Sequence, residues 1–274
     1  MFAESRRGAE DGLPAALQHE VLHLTYIGAE PPRGSRERLN VQSGLRSRLA
    51  LGARADVVEL LDSGCLSLPE IEQNLLDLAR LNRLFGGTAQ SMAAIRRLIG
   101  DRRDASILDA GTGRADMPAA FARAGWRTVG VDANPDVVVI ARRVTAGEPA
   151  IEIVEGDAQR LPFADDAFDV AHCSLLVHHL NPDDAVATLR ELARVARLGV
   201  VVNDLRRGLW AMAATWVTVT ALGRSPVTLT DGMASVRRAY TLPELDGLLA
   251  GAGLAVRWRS NERMPRVVTA AVRA

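Results

Sequence analysis

Ile107-Leu108-Asp109-Ala110-Gly111-Thr112-Gly113-Arg114-Ala115-Asp116 is the stretch that decides the fold. It reads as a short buried strand, a tight glycine turn and the start of a helix. Val129-Gly130-Val131-Asp132 follows as a second buried strand that ends in a carboxylate. Gly111 and Gly113 have access to backbone conformations closed to other residues and let a ligand approach the main chain. A carboxylate at the tip of the next strand is placed to accept hydrogen bonds from two ribose hydroxyls. Together these residues predict a pocket for a nucleoside-bearing cofactor at the carboxyl ends of parallel strands.

A dinucleotide site calls for G-x-G-x-x-G, with the third glycine packing helix on strand. Here the run is Gly111-x-Gly113-x-Ala115-Asp116, and Asp116 puts negative charge where a diphosphate would lie. The chain has no Lys, so the Tyr-x-x-x-Lys pair of a nicotinamide-dependent oxidoreductase is missing too. Asp109, two residues before the glycine turn, suits a cationic ligand better. In these residues the chain resembles the class I S-adenosylmethionine-dependent methyltransferases. Their first motif is an acidic residue followed by x-Gly-x-Gly-x-Gly. Asp109, Gly111 and Gly113 match it, and Ala115 departs from it mildly, alanine being the next smallest side chain. Gly156-Asp157-Ala158, after the apolar run 151–154, corresponds to the family's adenine-binding segment. Leu161-Pro162-Phe163 and Phe168-Asp169 look like its loop before the fourth strand. The resemblance covers residues 106 to 204. It implies S-adenosyl-L-methionine as cofactor, with Asp109, Gly111, Thr112 and Gly113 at its amino-acid end. Asp132 and Ala133 would then meet the ribose, and Asp157 and Ala158 the adenine.

From residue 106 onward, strands are expected at 106–110, 128–132, 151–155, 168–174 and 198–204. Helices are expected near 116–124, 135–146 and 183–196. Such alternation implies a parallel sheet wrapped on both faces. Upstream, Leu75, Leu78, Leu81, Leu84 and Phe85 recur at helical spacing. Gly86-Gly87 ends that helix and Thr88 caps the next, which carries Met92, Ile95, Leu98 and Ile99 on one face. Downstream come an apolar segment 209–222, a polar loop 223–239, a helix 242–251 and two strands near 255–260 and 266–273. The resemblance makes that last pair a hairpin with one antiparallel strand. The expected fold is therefore α/β: a doubly wound, mostly parallel seven-stranded Rossmann-like sheet with an N-terminal helical cap. Residues 1–55 read as a poorly ordered extension, broken at Pro31-Pro32-Arg33-Gly34-Ser35. Residues 56–104 read as the cap and 105–274 as the methyltransferase domain, with an acceptor-pocket insertion near 205–240.

Formal net charge is zero over 274 residues, which gives no case for a nucleic-acid or anionic-membrane partner. Cys65 and Cys173 make neither a disulfide framework nor a zinc set and fit a reducing cytosol. The first 16 residues lack an apolar signal core, and 209–222 falls short of the roughly 20 residues that span a bilayer. The expectation is a cytoplasmic protein without stable membrane insertion, acting on a small molecule, with homodimerisation left open.

Methyl transfer from a sulfonium is an in-line displacement, so positioning supplies most of the catalysis. A base matters only when the acceptor must lose a proton. No metal is expected, because adjacent histidines reach one ion poorly and no complete ligand set accompanies them. His172, His178 and His179 cluster after the fourth strand, where the family meets its acceptor. His178 and His179 are the candidate catalytic bases for a phenol or enol; a helix cap or a buried, satisfied histidine is the alternative. Asn203-Asp204 ends the fifth strand and faces the crevice. Arg206-Arg207 and Arg237-Arg238 are candidates to orient an acidic or carbonyl-bearing acceptor. Trp210, Met212, Trp216 and Met233 form either an acceptor wall or core. Leu75–Gly87 and Val200–Arg207 resemble a bacterial subgroup of polyketide, phenolic-lipid or quinone metabolism. That resemblance implies secondary metabolism and O-methylation of a phenolic or enolic acceptor. The alternatives are C-methylation of a quinone-type acceptor and an NAD(P)-dependent oxidoreductase on a related sheet.

Overall fold

The apolar runs of the middle of the chain become adjacent strands of one sheet. The computed structural model describes residues 54–55, 59–61, 65–223, 225–260 and 265–274. The strands are β1 (Ser106–Ala110), β2 (Arg127–Asp132), β3 (Ile151–Glu155), β4 (Phe168–Ser174), β5 (Ala196–Leu205), β6 (Leu254–Arg259) and β7 (Arg266–Arg273). They form a seven-stranded sheet in the order β3-β2-β1-β4-β5-β7-β6. β1 to β5 pair in parallel, and β7 runs antiparallel between β5 and β6. β1 and β4 lie at the centre and are buried almost throughout, as strands covered on both faces must be. The strand order reverses between β1 and β4. In open α/β sheets that switch point opens a crevice at the carboxyl ends.

Two helices precede β1: α1 (Leu68–Leu84) and α2 (Gly87–Ile99). Then come α3 (Asp116–Arg123), α4 (Pro135–Val144), α5 (Pro182–Val195), α6 (Leu209–Leu222), α7 (Pro226–Arg238) and α8 (Leu242–Gly251). On one face Leu189 and Leu192 of α5 and Leu245 and Leu249 of α8 pack on Ala171, Val200 and Val202. On the other, Ile95 and Ile99 of α2 and Phe121 of α3 pack on Ile107, Val170 and Val201. Ile71 and Leu75 of α1 rest on Val137 and Ile140 of α4, which holds α1 over the cavity side of the sheet.

Local chemistry sets the helix starts. Asn134 and Asn181 accept from the amides of Asp136 and Asp184, each ahead of a proline in the first turn. Ser67 with Glu70 and Thr241 with Glu244 form capping boxes. Two local expectations are corrected. Thr88 lies inside α2, whose N-cap is Gly86 in a left-handed conformation. The polar stretch 223–239 is largely the helix α7. Its sequence is rich in Thr, Ser and Gly, but Ser225 accepts from Val227 N, and Val236 and Ala239 are buried. Asp77 of α1 further anchors it through Ser225 N at 3.0 Å and Thr228 Oγ1 at 3.1 Å. Tertiary packing here overrides propensity. The extension expected over 1–55 lies outside the described residues apart from Arg54 and Ala55. Among the described residues no helix is long and apolar enough to cross a membrane.

Candidate active site

The carboxyl ends of β1, β2 and β4 open into a cavity of about 1050 Å³, closed on the far side by α1, α6 and α7. Asp109, Gly111, Thr112, Gly113, Asp132, Ala133, Asp157, Ala158, His178 and His179 all line it. These ten residues are therefore brought to one space.

At its cofactor end the main chain turns sharply. Gly111, Gly113 and Ala115 have φ of 66°, 54° and 65°. Ala115 thus adopts the left-handed conformation that a third glycine would take more cheaply. Asp132 ends β2 with Oδ2 accepting from Gly113 N at 3.0 Å and Oδ1 from Asn134 N at 3.1 Å. Burial pushes its carboxyl above the ordinary value, against the pull of those amides. Gly130, opposite Asp109 in the β1–β2 register, leaves room for Thr112, whose Oγ1 would lie 2.6 Å from an added Cβ. Asp157 is exposed at the rim and accepts from Gln159 N at 2.8 Å.

Asp109 is buried, and both of its oxygens are engaged. Oδ2 accepts from Thr112 Oγ1 at 2.9 Å, and Oδ1 lies 2.6 Å from His172 Nδ1. A carboxylate only accepts, so Nδ1 carries the proton. With a neutral ring, Nε2 accepts from Ser91 Oγ, 2.9 Å away. Ser91 Oγ in turn accepts from Asn203 Nδ2 at 2.8 Å. His172 is thus a satisfied core histidine that ties the glycine turn to α2 and β5.

Another part of the cavity wall comes from a short 3₁₀ turn, Val177–His179. His178 is buried; its Nδ1 lies 2.6 Å from Asp204 Oδ1, and its backbone N donates to Asp204 Oδ2 at 3.1 Å. Burial alone would raise the Asp204 carboxyl. The neighbouring His178 and the amides of Leu205 and His178 instead hold it below the ordinary carboxylate value. The loop is pinned through its carbonyls. Arg54 donates to the oxygens of His178 and Leu180, each at 2.7 Å, Tyr240 Oη to that of Leu180 at 2.8 Å, and Arg238 to that of His179. The two rings lie 4.3 Å apart centre to centre, and Glu59 faces both, 3.7 Å from His178 Nε2 and 3.7 Å from His179 Nε2. Those three donor groups fall within 4.8 Å of one another. That is wider than the roughly 3.3 Å between ligands that ~2 Å bonds in a tetrahedral site impose.

Several expectations about acceptor residues change. Neither arginine pair lines the cavity. Arg207 is buried against Glu244 and the Ala239 carbonyl, at 2.7 and 2.8 Å, and Arg238 holds the His179 loop. Of Trp210, Met212, Trp216 and Met233, only Trp210 is among the lining residues, joined there by Ala214, Thr215, Thr218 and Val219 of α6. Asp204 was expected at the crevice but not as the partner of His178, and Glu59, Arg54 and Arg266 carried no sequence signal at all.

The donor set fits S-adenosylmethionine. A left-handed glycine turn leaves the main chain open beside a half-buried carboxylate at the next strand tip, and the surrounding lining is acidic, with Asp109, Asp116 and Asp157. Such a lining suits a cationic nucleoside and disfavours a diphosphate. Comparison with known proteins agrees. Residues 107–199 match the family model described as a methyltransferase domain. The chain is 34% identical over 105 residues to the demethylmenaquinone methyltransferase of Chlorobaculum parvum, a match over 38% of this chain and 42% of that one, less than half its length. It is 30% identical over 179 residues to the demethylmenaquinone methyltransferase of Streptomyces avermitilis, covering 61% of this chain and 75% of that one. The crystal structure of a SAM-dependent methyltransferase from Aquifex aeolicus shares its fold, with TM-score 0.56, 17% identity and coverage of 76% and 100%. With motif, sheet order and relatives in agreement, the chain belongs to the class I S-adenosylmethionine-dependent methyltransferases.

Proposed function

We propose that this enzyme methylates a small, partly apolar phenolic or enolic acceptor whose hydroxyl proton is removed by His178. The observation that carries this reading is the buried Asp204–His178 pair at the cavity wall. Bound S-adenosylmethionine supplies the electrophilic methyl group. Asp204 accepts from Nδ1, which leaves the lone pair of His178 on Nε2, the atom that takes the acceptor's proton. The Asp204 carboxylate then stabilises the imidazolium. Arg54, Arg238 and Tyr240 fix the loop, so the ring is oriented before the acceptor arrives. The apolar residues of α6 exclude water from the acceptor. In this reading α1 and α2 cap the cofactor end, with Asp132 on the ribose and Asp157 with Ala158 on the adenine.

C-methylation of a reduced quinone is the second reading, favoured by the demethylmenaquinone methyltransferases among the relatives. Ionising a ring hydroxyl activates the adjacent carbon as well, so the same base serves both. Product analysis after transfer of a ¹³C-methyl group to 3-hydroxy-2-naphthoate and to reduced 1,4-naphthoquinone separates them. A methoxy carbon signal supports the first reading and an aryl-methyl signal the second. No transfer to any phenol or hydroquinone contradicts both. Treatment with EDTA is expected to leave turnover unchanged. Loss of activity that zinc or manganese restores would make Glu59, His178 and His179 metal ligands instead.

Asp132→Ala is expected to weaken S-adenosylhomocysteine at least about tenfold, since each lost charge-assisted hydrogen bond contributes about 1.5–3 kcal/mol. The ionised carboxylate is the better acceptor, and its pKa lies above the ordinary 3.8. Affinity therefore falls as pH descends through that raised value, earlier than for an ordinary aspartate. Calorimetric titration across acidic pH checks this; Asp132→Asn should bind weakly with no such step.

A further inference from the structure

Arg266 opens β7 opposite Leu205, and its side chain joins the cavity wall at the tips of β4 and β5. It is only 9% exposed. Nε donates to Asn203 Oδ1 at 3.1 Å, Nη1 to Asn82 Oδ1 at 2.9 Å and Nη2 to Ser174 Oγ at 3.2 Å. All three acceptors are neutral. No carboxylate among the described residues comes within the 4.0 Å of an ion pair with it. Burial lowers its pKa to about 10, partly opposed by the more distant charge of Asp204. A buried cation without a counter-ion is costly, and proteins keep such groups where a charged partner arrives.

The surroundings are built for this guanidinium. A Cβ on Gly87 would sit 2.0 Å from Asn82 Oδ1 and 3.0 Å from Arg266 Nη1, so a side chain there would displace the contact. Asn203 donates through Nδ2 to Ser91 Oγ at 2.8 Å and to the Gly87 carbonyl at 3.1 Å, which turns its oxygen to Arg266. The fork is thus held by oxygens from α1, β4 and β5, with two of its five N–H groups left over. Asn203 and Asp204 are successive strand residues whose side chains leave opposite faces of β5. One holds Arg266 and the other His178, so the two groups flank one strand tip.

We propose that Arg266 is the anion-recognition group of the acceptor pocket and takes a carboxylate or ionised enol carried by the acceptor. A planar, pre-oriented guanidinium suits such an oxyanion. The proposal rests on reading this cavity as the acceptor site. The carboxylate of the cofactor has the same chemistry, and the experiment separates the two sources. Protein saturated with S-adenosylhomocysteine is titrated with 3-hydroxy-2-naphthoate and with its neutral isostere 3-hydroxy-2-naphthamide. The wild type should bind the anion at least about tenfold more tightly. Arg266→Gln should bind both alike and keep its affinity for S-adenosylhomocysteine within about twofold. Arg266→Lys, which keeps the charge but loses the fork, should retain a reduced preference and serves if the glutamine variant does not fold. A wild type without preference, including one that binds neither probe, overturns the proposal. So does a preference that survives in Arg266→Gln. A tenfold loss of S-adenosylhomocysteine affinity in Arg266→Gln assigns the arginine to the cofactor and overturns it too. If the naphthoate binds through Arg266 yet neither it nor any other phenol or hydroquinone receives a methyl group, the proton-abstraction reading falls and the assignment of Arg266 stands.

Discussion

Gly111→Val should lose S-adenosylhomocysteine affinity by more than about 10²-fold while the protein stays folded. Gly111 has φ of 66°, where an L-residue costs about 1–2 kcal/mol and a β-branched one more. An added Cβ would also sit 3.1 Å from Leu176 Cδ1, so that side chain must give way. The valine methyl groups then fill space above the tip of β1. Strain and occlusion together exceed the roughly 2.7 kcal/mol that corresponds to a hundredfold loss. Gly113→Ala is the matched control. Its φ is 54°, but the only close neighbour of an added Cβ is Leu75 Cδ2 at 3.6 Å. That variant should pay the backbone term of about 1 kcal/mol and lose affinity only severalfold. Titration calorimetry with circular dichroism on both proteins is the measurement. Normal binding by a folded Gly111→Val protein means that this turn is not the cofactor cradle.

His178→Ala should slow methyl transfer to a phenol by about 10²-fold or more, with S-adenosylhomocysteine affinity unchanged. Asp204→Asn should cost a comparable factor although it removes no atom of the base. The amide can donate to Nδ1 and so favour the tautomer with its proton on Nε2, which is the wrong one for accepting the acceptor's proton. His179→Ala should matter far less, because His179 is only partly buried and its Nε2 faces Glu59 at 3.7 Å. Single-turnover rates with saturating cofactor resolve the three. Equal losses in His178→Ala and His179→Ala would point to a shared role for the pair.

The glycine turn and the strand-end carboxylate beside it were legible because their determinants are local. Asp109 to Asp116 encodes strand, turn and helix start in one window, and β2 delivers Asp132 by its own length. The mostly parallel sheet followed from alternating elements, and the observed strands differ from expectation by at most two residues at their ends. The histidine side of the cavity was legible only as a neighbourhood. His178 and His179 were visible, but what separates them is the contact of His178 with Asp204, 26 positions on, and both face Glu59, more than 100 positions back. Arg266 begins an unremarkable strand in a chain whose basic residues are all arginine, and nothing in its sequence neighbours marks it as buried. Residues 223–239 misled because Thr, Ser and Gly argue locally for a loop, while the contacts of α7 with α1 and α6 settle the matter from outside the window.

The central claim is that His178, oriented by Asp204, takes a hydroxyl proton from the acceptor. The pH dependence of the single-turnover rate on one phenol, measured for wild type and His178→Ala, tests it most directly. The wild-type profile should carry a step that the slow His178→Ala variant has lost. Any rise that remains in the variant should follow the pKa of the phenol itself. A His178→Ala protein with the wild-type rate and profile would contradict the account and leave orientation and desolvation by the cavity walls as the source of catalysis.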